Sequence, residues 1–261
     1  MFWKRKAKQV ESAAQGFCVP AGQRVYAIGD IHGRDDLFAQ VVDLIRADHA
    51  ARGPAQLTLV LLGDLVDRGP QSSAVVERAI NLRAEFPGMR FLIGNHEECF
   101  LAALGGDVRR LRYFMRIGGE ATIRSYWKDD ASFGSASFEE VAERLPHLVP
   151  ADHVQFLGEG EDFIEIGDYV FVHAGIRPGV PLEKQSLTDL RWIRDEFLDS
   201  LSDHGRMIVH GHSITNEPDE QANRIGIDIG AFRSGSLAAL GLEGGKRWFL
   251  FAREERAECA A

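Results

Sequence analysis

Apolar positions fall in short continuous runs through the first hundred residues, and each run is followed by a stretch of helical period. "RVYAIGD" (Arg24 to Asp30), "LTLVLLGD" (Leu57 to Asp64) and "MRFLIGN" (Met89 to Asn95) are apolar almost throughout, as strands buried on both faces are. Between them, "DLFAQVVDLIRADHA" from Asp36 sets Leu37, Val41, Leu44 and Ile45 on one helical face, and "SSAVVERAINLRAEF" from Ser72 predicts a second helix. Strands that alternate with helices imply βαβ units around a mainly parallel sheet. From about Gly105 to Gly160 the pattern turns polar and helical, carrying Tyr113, Phe114, Tyr126 and Trp127, which reads as an inserted helical cap. Strand patterns then return. "FIEIGDYVFVHAG" (Phe163 to Gly175) predicts two strands turning at Gly167 and Asp168, followed by "RMIVHGH", "NRIGIDIG" (Asn223 to Gly230) and a hairpin around Gly244 and Gly245. The expected fold is α/β, with two packed β-sheets flanked by helices. It forms one domain over residues 21–255, with the helical cap over about 105–160 and a flexible tail over 1–20.

The ends of these strands carry the chemistry. Each of the first three stops at glycine followed by a polar cluster: "GDIHG" (Gly29 to Gly33), "GDLVDRG" (Gly63 to Gly69) and "GNHEE" (Gly94 to Glu98). In open α/β sheets ligands collect beyond the carboxyl ends of the strands, so Asp30, His32, Asp64, Asp67, Arg68, Asn95 and His96 are expected in one crevice. Any one such turn is ordinary, but three in succession bearing carboxylate, imidazole and amide groups are not. Clustered carboxylates repel, and burying them costs several kcal/mol each unless a cation compensates. Oxygen and imidazole donors without thiolate suit Mn, Fe or Zn. Two further strand ends, "FVHAG" with His173 and "VHGH" with His210 and His212, raise the donor count above the need of one metal, so a dinuclear site with a bridging carboxylate fits better.

Composition narrows the partners. A net charge of −9 argues against general nucleic-acid binding, while 45% hydrophobic and 26% charged residues are ordinary for a soluble enzyme. Cys18, Cys99 and Cys259 are scattered and odd in number, which predicts no disulfide framework and a reducing, cytoplasmic setting. No run approaches the roughly 18 apolar residues of a membrane span.

GDIHG, GDLVDRG, GNHE, VHAG and GH, in this order from Val25 to about Leu240, resemble the calcineurin-like metallophosphoesterases, and within them the phosphoprotein phosphatase branch. The first three blocks are also spaced similarly, with roughly 25 to 30 residues between them. The resemblance implies a central β-sandwich with two metals at one edge, Mn foremost, with Fe or Zn as alternatives. It implies that Asp30 and His32 bind the first metal, that Asp64 bridges, and that Asn95, His173 and His212 bind the second. His96 becomes the acid that protonates the leaving oxygen, oriented by Asp67, and Arg68 clamps the phosphate. Arg194 in "LRWIRDEF" falls where the family places another arginine, with Arg191 as a competitor. The implied reaction is direct attack on phosphorus by a water or hydroxide shared between the metals.

The motif points to His212 rather than His210, because the family's last ligand follows glycine or alanine. Other metallophosphoesterases carry a further histidine two residues later, where this chain has Ile214, and the absence of that histidine is typical of the protein phosphatase branch. Asp67 favours the same branch, since the related symmetrical dinucleoside tetraphosphate hydrolases typically read GDLVARG there. Arg34 in "GDIHGR" stands where eukaryotic protein phosphatases usually carry glutamine, so the chain resembles a bacterial member. The expectation is a serine/threonine protein phosphatase acting on phosphorylated proteins or peptides, with small phosphate esters as further substrates. The alternative is a symmetrical bis(5'-nucleosyl)-tetraphosphate hydrolase. Elsewhere, His49, His147, His153 and His204 read as surface residues, Glu97 and Glu98 as partners of a helix start, Cys99 as a small core residue, and Tyr126 and Trp127 as core packing.

Overall fold

Side-chain alternation along the central strands sends one set of residues into a core between two sheets and the other set under a layer of helices. The computed structural model describes residues 12–13 and 16–254. Its strands are β1 (Ser12–Ala13), β2 (Gln23–Ile28), β3 (Gln56–Leu61), β4 (Arg90–Phe91), β5 (Phe163–Ile166), β6 (Tyr169–Val172), β7 (Met207–His210), β8 (Asp219–Glu220), β9 (Arg224–Gly226), β10 (Ser236–Glu243) and β11 (Lys246–Arg253). One sheet runs β1-β11-β10-β2-β3-β4, parallel through β2, β3 and β4 and antiparallel on its β10-β11 side. The other runs β5-β6-β7-β9-β8, with the parallel pairs β6-β7 and β7-β9 at its centre.

Val25 and Ala27 of β2 face Tyr169, Phe171, Val209 and Ile225 of the other sheet in one buried cluster. Tyr26 and Ile28, their neighbours in sequence, lie instead among the helices. The strands are therefore buried on both faces, which is why their sequences are apolar throughout. Helices α1 (Asp35–Ala51), α2 (Ser72–Glu85) and α3 (Asn95–Ala103) cover the outer face of the first sheet. The segment 105–160 is helical: α4 (Val108–Phe114), a π-helical turn (Met115–Gly119), α5 (Glu120–Tyr126), α6 (Asp130–Ser135), α7 (Phe138–Leu148) and α8 (Ala151–Gly158). Its Leu111, Phe114, Ile123, Tyr126 and Leu145 share the core of α1 and α2, so it is part of the flanking layer rather than a detached lid. Short helices α9 (Leu187–Trp192) and α10 (Asp195–Leu198) pack on the outer face of the second sheet through Leu190 and Phe197, with Ile193 of their connection in the same cluster. The last helix, α11 (Ala231–Ser234), precedes β10.

Several local expectations need correction. The third strand shrinks to Arg90–Phe91, prolonged only by a bridge from Leu92 to Glu161, because the chain turns into α3 at Asn95. The strand expected over 223–230 ends at Gly226, since Ile227–Gly230 turns inward and Gly230 takes a left-handed φ of 68°. The tail expected over 1–20 lies outside the described residues at 1–11 and 14–15, but Val19 is buried. It donates to the Gly244 carbonyl, while the Cys18 amide donates to Asp168. Cys259 also lies outside the described residues. Buried His153 is not a surface residue: Tyr126 Oη sits 2.8 Å from its Nδ1 and Glu77 3.1 Å from its Nε2. His49 and His204 are half-buried, against Arg24 and Phe197 respectively, whereas His147 is exposed. Tyr126 and Trp127 are core residues, and Cys99 packs half-buried beside them. Among the described residues, no helix is long and apolar enough to cross a membrane.

The contact between the sheets is an apolar junction with Phe171 fully buried in it. Phe171→Ala should lower unfolding stability by about 3–5 kcal/mol in a urea titration. A loss under about 1 kcal/mol would mean the two sheets do not depend on this packing.

Candidate active site

The β-strands deliver their polar ends to one edge of the two sheets, and the backbone there is strained. Among the described residues, five that are not glycine adopt positive φ: His32 (46°), Asp64 (50°), Asp67 (73°), Arg68 (67°) and His212 (61°). Left-handed backbone at such residues costs about 1–3 kcal/mol each and persists only where the surroundings enforce it. Here the enforcement is visible. The Asp64 carbonyl accepts from the amides of Ile31 and His32 at 3.1 and 2.9 Å, tying the first two loops together. Fully buried Glu97 accepts from the amides of Asp64 (2.8 Å), Leu65 (2.8 Å), Val66 (3.3 Å) and Gly94 (2.9 Å), tying the second loop to the third. Glycine is required where these loops touch: a Cβ on Gly211 would lie 2.0 Å from Asp30 Oδ1, and one on Gly94 2.2 Å from Asp64 Oδ1.

Asp64 stands at the centre. Its Oδ2 lies 3.5 Å from His32 Nε2 and 3.9 Å from His96 Nε2, and its Oδ1 lies 3.4 Å from His173 Nε2. Two groups of donors share this carboxylate: His32 with His96 on one side, His173 with His212 on the other, and within each group the donor atoms lie within 4.8 Å of one another. His32 Nδ1 donates to the Val66 carbonyl and His173 Nδ1 to the Leu62 carbonyl, both at 2.8 Å. Those bonds fix the tautomer and aim each Nε2 lone pair at the centre, the usual support for a metal-ligating imidazole. Asn95 Oδ1 lies 3.0 Å from His173 Nε2. Asp30 accepts the His212 amide on Oδ2 at 2.9 Å, while its other oxygen and His212 Nε2 are buried without a hydrogen-bond partner.

Electrostatics agree with a cation-binding cluster. Burial, with Asp228 and Asp64 nearby, pushes the Asp30 pKa well above the usual carboxylate range. Burial works against ionised Asp64 too, but the imidazoles of His173, His96 and His32 outweigh it and hold its pKa well below. Burial drives His32 well below the ordinary imidazole value and His212 down to about 2, leaving neutral nitrogens suited to metals. Crowded carboxylate oxygens and neutral imidazoles, with two buried donor atoms left over, are a donor set that divalent cations fit.

His173 and His96 differ from His32 and His212: burial disfavours the charge of His173 as well, but Asp64 outweighs it and raises its pKa. Burial also disfavours the charge of His96, yet Asp64 and Asp67 prevail and its pKa is raised; Asp67 Oδ2 lies 2.5 Å from its Nδ1. Arg68 reaches His32 Nε2 and His96 Nε2, each at 2.9 Å, and stacks over Phe232 with its guanidinium 4.9 Å from the ring centroid. Arg191 is engaged elsewhere, by Glu98 at 3.2 Å and Asp162 at 2.7 Å. Arg194 is exposed and close enough to His212 to depress its pKa. The His210 ring turns away from the centre, 5.1 Å from Phe197, whereas His212 lies 5.2 Å from His173.

Four residues near the centre escaped the sequence reading. Asp228 is buried beside Asp30; its strand end, "GIDIG", repeats the apolar-then-acid pattern that marked the other blocks. Thr122 hydrogen-bonds Asp67, Phe232 lies 5.5 Å from the His32 ring, and Trp192 lies 6.5 Å from His212. Nothing local in the sequence distinguishes these three from core residues.

The fold and this strand-end cluster define a phosphoesterase of the two-sheet, metal-dependent class. The calcineurin-like phosphoesterase profile matches residues 23–233, and the chain belongs to that family. It is 34% identical to a symmetrical bis(5'-nucleosyl)-tetraphosphatase of Acidovorax ebreus over 59% of this chain and 44% of that protein, so the chain spans less than half the length of that relative. It is 26% identical to serine/threonine-protein phosphatase 2 of Salmonella typhimurium over 83% of this chain and 91% of that one. The crystal structure of a putative diadenosine tetraphosphatase shares the fold with a TM-score of 0.61 at 24% identity, covering 90% of this chain and 98% of that one.

His210 supplies a prediction independent of catalysis, because burial pushes its pKa down to about 4. Its unfolded counterpart titrates near 6.5, so between these values the unfolded chain holds a proton that the folded one refuses, and stability falls as pH drops through that window. His210 should account for about 3 kcal/mol of that acid sensitivity. Urea titrations at several pH values between 7 and 4 should give a flatter stability profile for His210→Leu than for the parent; equal slopes would refute the assignment.

Proposed function

We propose that the protein is a divalent-metal-dependent phosphomonoesterase that hydrolyses phosphoprotein esters, with manganese as the metal and serine or threonine phosphates as the main substrates. The observation that carries this reading is the buried Asp67–His96 pair at 2.5 Å, a carboxylate aligned to keep an imidazole protonated. A phosphoserine or phosphothreonine ester has a poor alkoxide leaving group, and a positioned acid lowers that barrier, typically by 10²–10⁴-fold in rate. The extent of similarity to the Salmonella phosphatase, which runs along most of both chains, supports the same choice.

In this reading Asp30 and His32 would hold one divalent cation and Asn95, His173 and His212 another, with Asp64 available to both. Two divalent cations there would withdraw charge from the phosphate and lower the pKa of a water towards neutrality. Arg68, a planar fork held over Phe232, grips two phosphate oxygens, and exposed Arg194 closes on the phosphate from the His212 side. His96 gives its proton to the departing oxygen, and Asp67 stabilises the imidazolium until then and orients it.

The alternative, hydrolysis of symmetrical dinucleoside tetraphosphates, is favoured by the 34% identity to the Acidovorax enzyme. It is weighed against by the short share of that enzyme covered and by Asp67 itself. The deciding assay presents the Mn²⁺-loaded protein with a phosphoserine peptide, a phosphotyrosine peptide and diadenosine tetraphosphate. The phosphoserine peptide should be hydrolysed fastest; a tetraphosphate rate far above both peptides would transfer the protein to the alternative. His212→Ala should bind one Mn²⁺ fewer per chain in a calorimetric titration, and His210→Ala should bind as many as the parent. Loss of an ion in the His210 variant would reverse the assignment of the two histidines.

A further inference from the structure

Asp67 carries a second oxygen, and what holds it comes from a distant part of the chain. Thr122, in α5 of the helical insertion, is fully buried, and its Oγ1 donates to Asp67 Oδ1 at 2.6 Å. The same hydroxyl oxygen accepts the Asp67 amide at 2.8 Å. Ser72 Oγ, at the start of α2, lies 2.9 Å from Thr122 Oγ1 and accepts the Asp67 amide at 3.1 Å. Asp67 is thus grasped at its amide and at one carboxylate oxygen while the other oxygen meets His96. The insertion touches the next residue too: the Arg68 amide donates to the Gly118 carbonyl at 3.1 Å, and a Cβ on Gly118 would lie 2.8 Å from Arg68 Cγ. Asp67 and Arg68 are two of the five residues in left-handed backbone, and both are steadied by this segment.

We infer that Thr122 is a positioning residue for leaving-group protonation: by fixing Asp67 it sets the direction in which His96 presents its proton, and it ties the helical insertion to the chemistry. The inference rests on His96 acting as the acid. A carboxylate with one oxygen free to swing has several ways to meet an imidazole, whereas one pinned at Oδ1 has a single direction left for Oδ2. Thr122 touches no substrate; it acts through Asp67. Hydrogen bonds to charged groups are about twice as strong as neutral ones, and buried here the bond is shielded from competing water.

Thr122→Val keeps the side-chain shape and removes only the hydroxyl, and Thr122→Ser keeps the hydroxyl. On the Mn²⁺-loaded protein, Thr122→Val should lower kcat for a phosphoserine peptide by about 10- to 100-fold, with KM changed less than about 2-fold. For p-nitrophenyl phosphate, whose leaving group departs without a proton, kcat should change less than about 2-fold, because the acid contributes little there. Thr122→Ser should restore the peptide rate to within about 3-fold of the parent. In the metal-free protein, the proton resonance of His96 Nδ1 should move in the Thr122→Val variant and return in Thr122→Ser. Equal loss on both substrates, or no loss on either, would overturn the inference. His96→Asn is the control for the underlying reading. If it is selective for the peptide while Thr122→Val is not, only the role of Thr122 fails; if it slows both substrates alike, the acid assignment and the inference fall together.

Discussion

One carboxylate holds the catalytic edge in shape. Glu97 accepts four backbone amides from two separate strand-end loops, and without it the Asp64 turn and the Gly94 turn would each leave buried N–H groups unpaired. Burial and the nearby Asp64 charge raise the Glu97 pKa to about 7, so even this brace works against its own desolvation. Glu97 holds the left-handed turn at Asp64 through its amide and those of the next two residues, while the Ile31 and His32 amides hold the Asp64 carbonyl. The insertion supplies the opposite side through Thr122 and Gly118. Strain in the loops, bracing by Glu97 and bracing by the insertion form one mechanical unit.

The same unit explains the electrostatic division of labour. Imidazoles whose Nδ1 is tied to a main-chain carbonyl, His32 and His173, present a lone pair to Asp64 and suit metal binding. The imidazole whose Nδ1 is tied to a carboxylate, His96, is biased towards carrying a proton and suits acid catalysis. The partner on the far ring nitrogen, a carboxylate for His96 and a main-chain carbonyl for His32 and His173, sets these imidazoles apart, although Asp64 raises the pKa of both His96 and His173. Burial and the neighbouring Asp228 raise the Asp30 pKa, and burial raises that of Asp228, with Arg68 pulling both the other way.

Much of this was legible in the sequence, and the reason is geometric. The two-sheet α/β fold follows from strands apolar on both faces, and the strand-end cluster follows because parallel strands deliver their ends to one edge; Asp30, His32, Asp64, Asn95, His173 and His212 all announce themselves as polar groups after an apolar run. The choice of His212 over His210 depended on resemblance, since both flank the same glycine; the ring positions of the two differ because Gly211 turns the chain between them. Thr122, Phe232 and Trp192 were not legible, because they reach the site through tertiary packing of helices whose own sequences look like ordinary core. His153 was misjudged for a related reason: a polar stretch reads as surface, but its imidazole is satisfied inside by Tyr126 and Glu77. The short third strand was hidden because the apolar run continues through Leu92 and Ile93, past the last residue of the strand, up to Gly94.

Asp64 belongs to both candidate donor groups, so two divalent cations held there would both draw on it, and the electron paramagnetic resonance spectrum of the Mn²⁺-loaded protein tests this most directly. Two manganese ions bridged by one carboxylate are magnetically coupled, so the account predicts an exchange-coupled multiline spectrum that collapses to an uncoupled one in Asp64→Asn. A parent spectrum of isolated, uncoupled Mn²⁺ at saturating metal would contradict it.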